Sequence, residues 1–328
     1  MEIAGLTVTQ HAEYLELVNA EIRPQGSGTR ALDDFPLALG AGNLAWQMGA
    51  FDERGRLAGG IATLVRSFTT SCGEIAVGAI GSVVTRPDCR GRGLSAHLQA
   101  AAVAALRRND VPLAALWTDR PEIYAGRGFV PAGIEWHVGL DSASLPSGAS
   151  AEVTVRAWEP RDAAATQRLY EQHRWRTVRH AGDAEQLYGM PGTAGLVAEA
   201  AGEVRAAVFC GKGADFPGYV TEWDGDLDLA LRLLAAARER GLAGAVLVPR
   251  GEEDFVARLA ALGTVPVALT AGCWAVIRPE LLVAAAAAAG IAPPDDPTSP
   301  RAWLGGVADD GAVEPGPLAV AVWGFDSV

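Results

Sequence analysis

The chain has 328 residues, of which 49% are hydrophobic and 20% charged, enough apolar material for two cores of ordinary size. Its net charge of −12 comes with no basic stripe, which argues against nucleic acid as a partner and favours a cationic one. No signal peptide follows Met1, the longest near-apolar run (281–290) is far shorter than a membrane span, and Cys72, Cys89, Cys210 and Cys273 show no paired spacing. A cytoplasmic protein with reduced thiols and no membrane partner is therefore expected.

In chain order, the pattern predicts a strand over 6–9 and a helix over 11–22 with Tyr14, Leu15, Leu17 and Val18 on its apolar face. A break follows at 24–28, then a second helix within 30–39. Residues 45–51 and 57–68 read as strands joined at the turn 52–55, and 74–85 as a further strand. That strand ends in the β-branched run Val83, Val84, Thr85 and stops at Pro87, which cannot donate to a ladder. From Leu94 a helix is predicted to residue 108, with Leu94, Leu98, Ala101, Ala102, Ala105 and Leu106 at helical spacing.

Between that strand and helix lies Arg90-Gly91-Arg92-Gly93-Leu94-Ser95. Glycines allow close backbone approach, the first amides of a helix lack internal partners, and the helix dipole favours an anion there. Arginines add charge-assisted bonds. The bland alternative is a plain turn with solvated arginines. Arg90-x-x-Gly93-x-Ser95 after a strand end resembles the acyl-CoA pyrophosphate motif of GNAT acyltransferases, with Ser95 in place of the usual Gly or Ala.

Residues 113–117 form a short strand and 134–140 another, which is expected to close the first domain. Between them, Asp119 is expected to cap a short helix with Pro121 in its first turn and Gly126 or Gly128 at its end. The run Ile123-Tyr124-x-x-x-Gly128-Phe129 is similar to the second GNAT signature, and the two signatures stand in the order of that family.

Residues 141–151 are rich in Ser, Gly and Ala and read as a linker. The element order then restarts: strands at 153–158, 194–199, 204–210, 218–223 and 244–248, helices at 162–173, 227–240 and 254–262, and a return to sheet over 265–277. This implies an α/β mixed-sheet fold of two tandem GNAT-like domains, 1–145 and 151–280, with a tail from 281 to 328. The second domain is expected to be degenerate, because Asp224, Asp226 and Asp228 stand where the first has Arg90 and Arg92. Carboxylates there repel a pyrophosphate but suit a helix start; a calcium loop is the weaker alternative, since the distal Glu is missing. The apolar end, with Trp323 and Phe325, suggests a docked tail.

Tandem halves, the Tyr124 signature and a docked end together resemble the enhanced intracellular survival family of GNAT enzymes, without its sterol-carrier-like domain. The resemblance implies acetyl transfer from acetyl-CoA, with no metal, to an amine on a small molecule or peptide. It assigns Tyr124 as general acid and the α-carboxylate of Val328 as base. Val83, Val84 and Thr85 would face the pantetheine arm and Arg90 to Ser95 the pyrophosphate. Glu74, His97, Glu122 and His137 are weaker candidates for the base. A CoA-binding protein without turnover is the second reading; a mycothiol synthase-like enzyme is a third, disfavoured by the second half's loss of the phosphate turn.

Overall fold

The computed structural model describes residues 2–23, 28–146 and 152–326. The first half opens with β1 (Glu2–Gly5), α1 (Val8–Ile22) and two one-turn helices, α2 (Ala31–Asp34) and α3 (Pro36–Leu39). Strands β2 (Gln47–Phe51), β3 (Leu57–Thr70) and β4 (Gly73–Thr85) lead to α4 (Leu94–Arg108), β5 (Leu113–Leu116), α5 (Glu122–Ala125), β6 (Val130–Pro131) and β7 (Glu135–Gly139). The second half runs through β8 (Val153–Ala157), α6 (Ala163–Tyr170), β9 (Arg176–Thr177), α7 (Asp183–Tyr188), β10 (Ala194–Ala200), β11 (Glu203–Lys212) and β12 (Asp215–Gly225). It continues with α8 (Leu227–Glu239), β13 (Ala245–Pro249), α9 (Glu253–Ala261), β14 (Pro266–Leu269) and β15 (Cys273–Val276). Beyond it lie α10 (Pro279–Ala288), α11 (Pro300–Leu304) and the small hairpin of β16 (Gly305–Val307) and β17 (Val313–Pro315).

The strand expected over 6–9 is instead β1, at 2–5, because Thr7 starts a helix. Its side chain accepts from the Gln10 amide while the Gln10 side chain accepts from the Thr7 amide, a reciprocal cap. α4 begins and ends where the spacing places it, with Arg107 and Arg108 in its last turn.

Two mixed sheets carry the fold. One has the order β1-β2-β3-β4-β5-β15-β6, with β9 paired to the far end of β3; the other has the order β14-β7-β13-β12-β11-β10-β8. The halves therefore exchange strands. The segment 134–140, expected to close the first domain, pairs with β13 and β14 in the second sheet. Its counterpart β15 pairs with β5 and β6 in the first. The two crossings run side by side at glycines with positive φ. A Cβ on Gly133 (φ 80°) would lie 3.2 Å from that of Ala271, and one on Gly272 (φ 88°) would lie 3.1 Å from the Leu116 carbonyl oxygen. Only glycine meets both demands without strain.

The tail packs between the halves. Leu318, Val320 and Val322 join the core beside Phe68, Val77 and Trp274 of the first sheet. Trp323 enters the second core against Trp223 and His173, and Phe325 stacks among Tyr188 and Phe209. Residues 318–322 form no strand. Their backbone bonds go elsewhere: the Leu318 amide to the Trp303 carbonyl, the Ala319 amide to Ser71 Oγ, and the Leu318 carbonyl to Arg250.

Candidate active site

β4 and β5 run parallel only from Val77 to Ala79 against Leu113 to Ala115. Beyond that they part, leaving the end of β4 paired only with β3. There the β3–β4 register shifts between Gly60 and Ala62, opposite Ser82, whose φ is +50°. A bulge of this kind bends a strand and is common beside functional sites. It is held by Tyr14 of α1, fully buried, whose hydroxyl donates to the Ser82 carbonyl at 2.8 Å. Burial pushes the Tyr14 pKa well above its ordinary value, so the hydroxyl remains a donor.

A groove of about 420 Å3 follows the end of β4 into the start of α4. Val83, Val84 and Thr85 line one side; Arg90, Gly91, Gly93, Leu94 and Ser95 line the other. Gly91 and Gly93 both adopt left-handed backbone (φ 75° and 73°). Space does not require them to be glycine, since a Cβ on Gly91 would have no neighbour within 4 Å; conformation does. No side chain caps α4 at Gly93, so the amides at its start face the groove's mouth unclaimed by a cap. Arg90 forms an ion pair with Glu21 of α1, a partner 69 residues away in sequence that also lines the groove. Arg92 is not among the lining residues; it donates to the Asp88 carbonyl at 3.3 Å.

A second cleft of about 650 Å3 adjoins the groove. Ile22, Val83 and Tyr124 line both. Tyr124 sits on α5, which starts at Pro121 without a side-chain cap. Asp119 does not cap it: the cap position is Pro121, Thr118 Oγ1 accepts from the Arg120 amide, and Asp119 lines the cleft. Burial raises the Tyr124 pKa, and the Arg127 guanidinium, 5.6 Å from the ring centre, offsets this only in part. The tyrosine is thus protonated at neutral pH.

The far wall of this cleft comes from the second half. Residues 214–217, at the turn between β11 and β12, reach over to Phe35 and Arg23 of the first half. Arg23 Nε donates to Asp34 at 2.6 Å and Arg23 Nη2 to Asp215 at 3.3 Å. A Cβ on Gly213 would lie 1.8 Å from Asp34 Oδ1, so this turn seats directly on α2. Beneath it, Lys212 is buried with its ammonium 4.8 Å from the Phe35 ring centre. Burial pushes its pKa down to about 8 against the pull of Asp215, Asp326 and Asp34. Nothing in the sequence pattern marked this contact, because its partners are nearly two hundred residues apart.

The tail ends beside the same wall. Phe325 and Phe35 line one small cavity, and Asp326 is clasped by Arg179 at 3.1 Å, which also grips Glu222. Val328 lies outside the described residues. The other candidate bases line neither cleft. Glu74 begins β4 at its opposite end, His97 is exposed on α4, and Glu122 pairs with Arg120 at 3.2 Å. His137 belongs to the second sheet, hydrogen-bonded to Tyr219 and Glu135.

In the second half the corresponding gap is closed. β12 and β13 run parallel only at Tyr219–Val220 against Ala245–Val246, and the Trp223 indole then spans the space, donating to the Leu247 carbonyl at 3.3 Å. The three aspartates have separate structural partners. Asp224 accepts from His173, Asp226 caps α8 through the amides of Asp228 and Leu229, and Asp228 pairs with Arg258.

Residues 11–132 match the acetyltransferase (GNAT) domain family. This part of the chain is similar to a GNAT acetyltransferase domain. Solved structures extend the GNAT fold across both halves. A GCN5-related N-acetyltransferase from Kribbella flavida superposes with a TM-score of 0.59 at 18% identity, over 83% of this chain and 69% of that one. A probable N-acyltransferase of unknown function from Enterococcus faecalis gives 0.63 at 13%, over 84% and 72%. Eis1 from Mycobacterium abscessus gives 0.58 at 16%, over 87% and 76%. At these identities the likeness is one of fold. No curated protein matches the chain in sequence. Among the described residues, no helix is long and apolar enough to cross a membrane.

Proposed function

We propose that this GNAT chain is an N-acetyltransferase that moves an acetyl group from acetyl-CoA to an amine. One observation carries the reading: Tyr124 stands where the glycine-turn groove and the second cleft meet. The groove suits a CoA. Its left-handed glycines leave open space above the backbone, and uncapped amides at a helix start favour a pyrophosphate. The strand end from Val83 to Thr85 supports a role in holding the pantetheine arm, since β5 has left its free edge open. Acetyl-CoA would supply the activated thioester.

The remaining chemistry falls to the chain's own groups. Tyr124, kept protonated by burial, holds a proton at its phenolic oxygen for the departing thiolate. Arg90 would leave Glu21 to meet the pyrophosphate. The amine must lose a proton before or during attack, and the α-carboxylate of Val328 is the proposed base. Its support is the path of the tail, buried as far as Asp326 and packed through Phe325 against the Phe35 wall of the second cleft.

The test is Tyr124→Phe, which keeps the ring and removes the proton. Acetylation should slow by about 10²–10⁴-fold while acetyl-CoA binds nearly as before. Unchanged turnover would make Tyr124 a packing residue. Tight acetyl-CoA binding with no transfer across a broad amine panel would favour a sensor.

A further inference from the structure

We infer that the acceptor is an amine carrying a single positive charge on an aromatic or bulky apolar body, and that Phe216 of the second half selects it. This rests on the acetyltransferase reading above and names the substrate class of the same cleft.

Charge counting comes first. The cleft wall offers two carboxylates, Asp119 and Asp215, and one guanidinium, Arg23. Arg23 already binds Asp215, and Asp34 holds the same guanidinium from behind. Among the described residues of this wall that leaves one carboxylate besides the proposed base, Asp119, which is exposed and makes no hydrogen bond or ion pair with them. A polycation needs several such groups, since each ammonium stripped of water without a partner is costly. A monocation needs only one.

Beside Ser82 and Thr118, the same wall carries four aromatic rings. Phe35, Trp117, Tyr124 and Phe216 approach from four separate segments, and all are half-buried. Rings so placed bind an aromatic or apolar body by stacking and edge contacts.

Phe216 is the most informative of these residues. Its φ is +54°, a left-handed conformation that a bulky side chain adopts at a cost of about 1–3 kcal/mol. The strain persists because its neighbours fix the backbone. Asp215 is held by Arg23, Gly213 is seated on Asp34, and Tyr219 meets the ring edge-on at 6.4 Å. A glycine would fit this turn more easily. The ring is retained at a strained position on the wall of the cleft, where a selective contact would account for it.

The experiment titrates 2-phenylethylamine, propylamine and spermine into the CoA-saturated protein by calorimetry, and measures acetylation of the same amines. 2-Phenylethylamine should bind about tenfold tighter than propylamine, and spermine no tighter than propylamine. Phe216→Gly, which accepts the left-handed backbone freely, should lower the phenylethylamine-to-propylamine preference by about tenfold, and Phe216→Tyr should restore it. Tightest binding by spermine, or a preference unmoved by Phe216→Gly, overturns the inference. Because binding is read without turnover, loss of acetyl transfer to every amine would refute the acetyltransferase reading alone, and the binding order would still decide the acceptor class.

Discussion

Glu21 occupies the charge that the groove needs for its ligand. Its carboxylate lines the groove and pairs with Arg90, whose guanidinium is the side chain proposed above to meet a pyrophosphate. On that proposal, binding breaks one ion pair and brings several negative charges towards Glu21. The Arg90 side chain is 59% exposed, so the pair itself is of the surface kind, worth about 0.2–1 kcal/mol. Glu21→Gln removes that competition, and acetyl-CoA should bind roughly two- to fivefold tighter at low salt. Screening should shrink the gain as salt rises towards about 1 M, where the Debye length falls to ~3 Å. Arg90→Glu should weaken binding, and the double variant should show that the two effects are not additive. Isothermal titration at two salt concentrations measures all of this. If Glu21→Gln binds no tighter, or binds more weakly, Arg90 does not serve the pyrophosphate and Glu21 has another task.

One equivalent of acetyl-CoA should bind per chain, because Trp223 closes the second gap; calorimetric stoichiometry near two would contradict this. Gly93→Ala should cost about 1–2 kcal/mol through its φ of 73° alone and weaken acetyl-CoA, as urea unfolding and titration would show. His173 is buried, which by itself would lower its pKa, but Asp224 and Glu252 outweigh this and raise it to about 9. Its contribution, on the order of 3 kcal/mol, is therefore full below about pH 6.5 and is lost as pH rises through about 9. Urea midpoints between pH 6 and 10 should fall in the parent and much less in His173→Gln; parallel slopes would exclude His173 as the source. Adding residues after Val328 should slow acetylation without changing the urea midpoint if the terminal carboxylate is the base; a full rate in the extended protein points to another base.

What could be read in the sequence was local. Arg90 to Ser95 is legible because left-handed turns demand glycine and because helix α4 follows at once with clean spacing. Tyr124 stands out through its resemblance to the second GNAT signature, and it lies on a one-turn helix between Pro121 and Gly126. The rest depends on partners far along the chain. Residues 134–140 alternate equally well for either sheet, so the pattern does not say which sheet takes them. The tail's apolar side chains forecast burial, but not that Arg250 and Ser71 would replace a strand partner. Glu21, Arg23 and Phe216 carry no local signal, since Glu21 meets Arg90 69 residues away and the other two meet across the two halves. Asp119 precedes a helix with Pro121 near its start, which suits a cap, but the helix begins two residues on with Pro121 itself at the cap position, leaving Asp119 to the cleft.

The exchanged strands also set the order in which the molecule can be made. β15 lies between β5 and β6, inside the sheet that holds the groove, yet it leaves the ribosome only after almost all of the second half. Until then β5 presents a bare apolar edge, Leu113 to Leu116, of the kind that recruits stray chains. The first half thus cannot finish folding ahead of the second, unlike domains that mature one by one during synthesis. Nascent chains stalled before residue 273 should remain sensitive to protease across β5, and become resistant only once Cys273–Val276 has emerged.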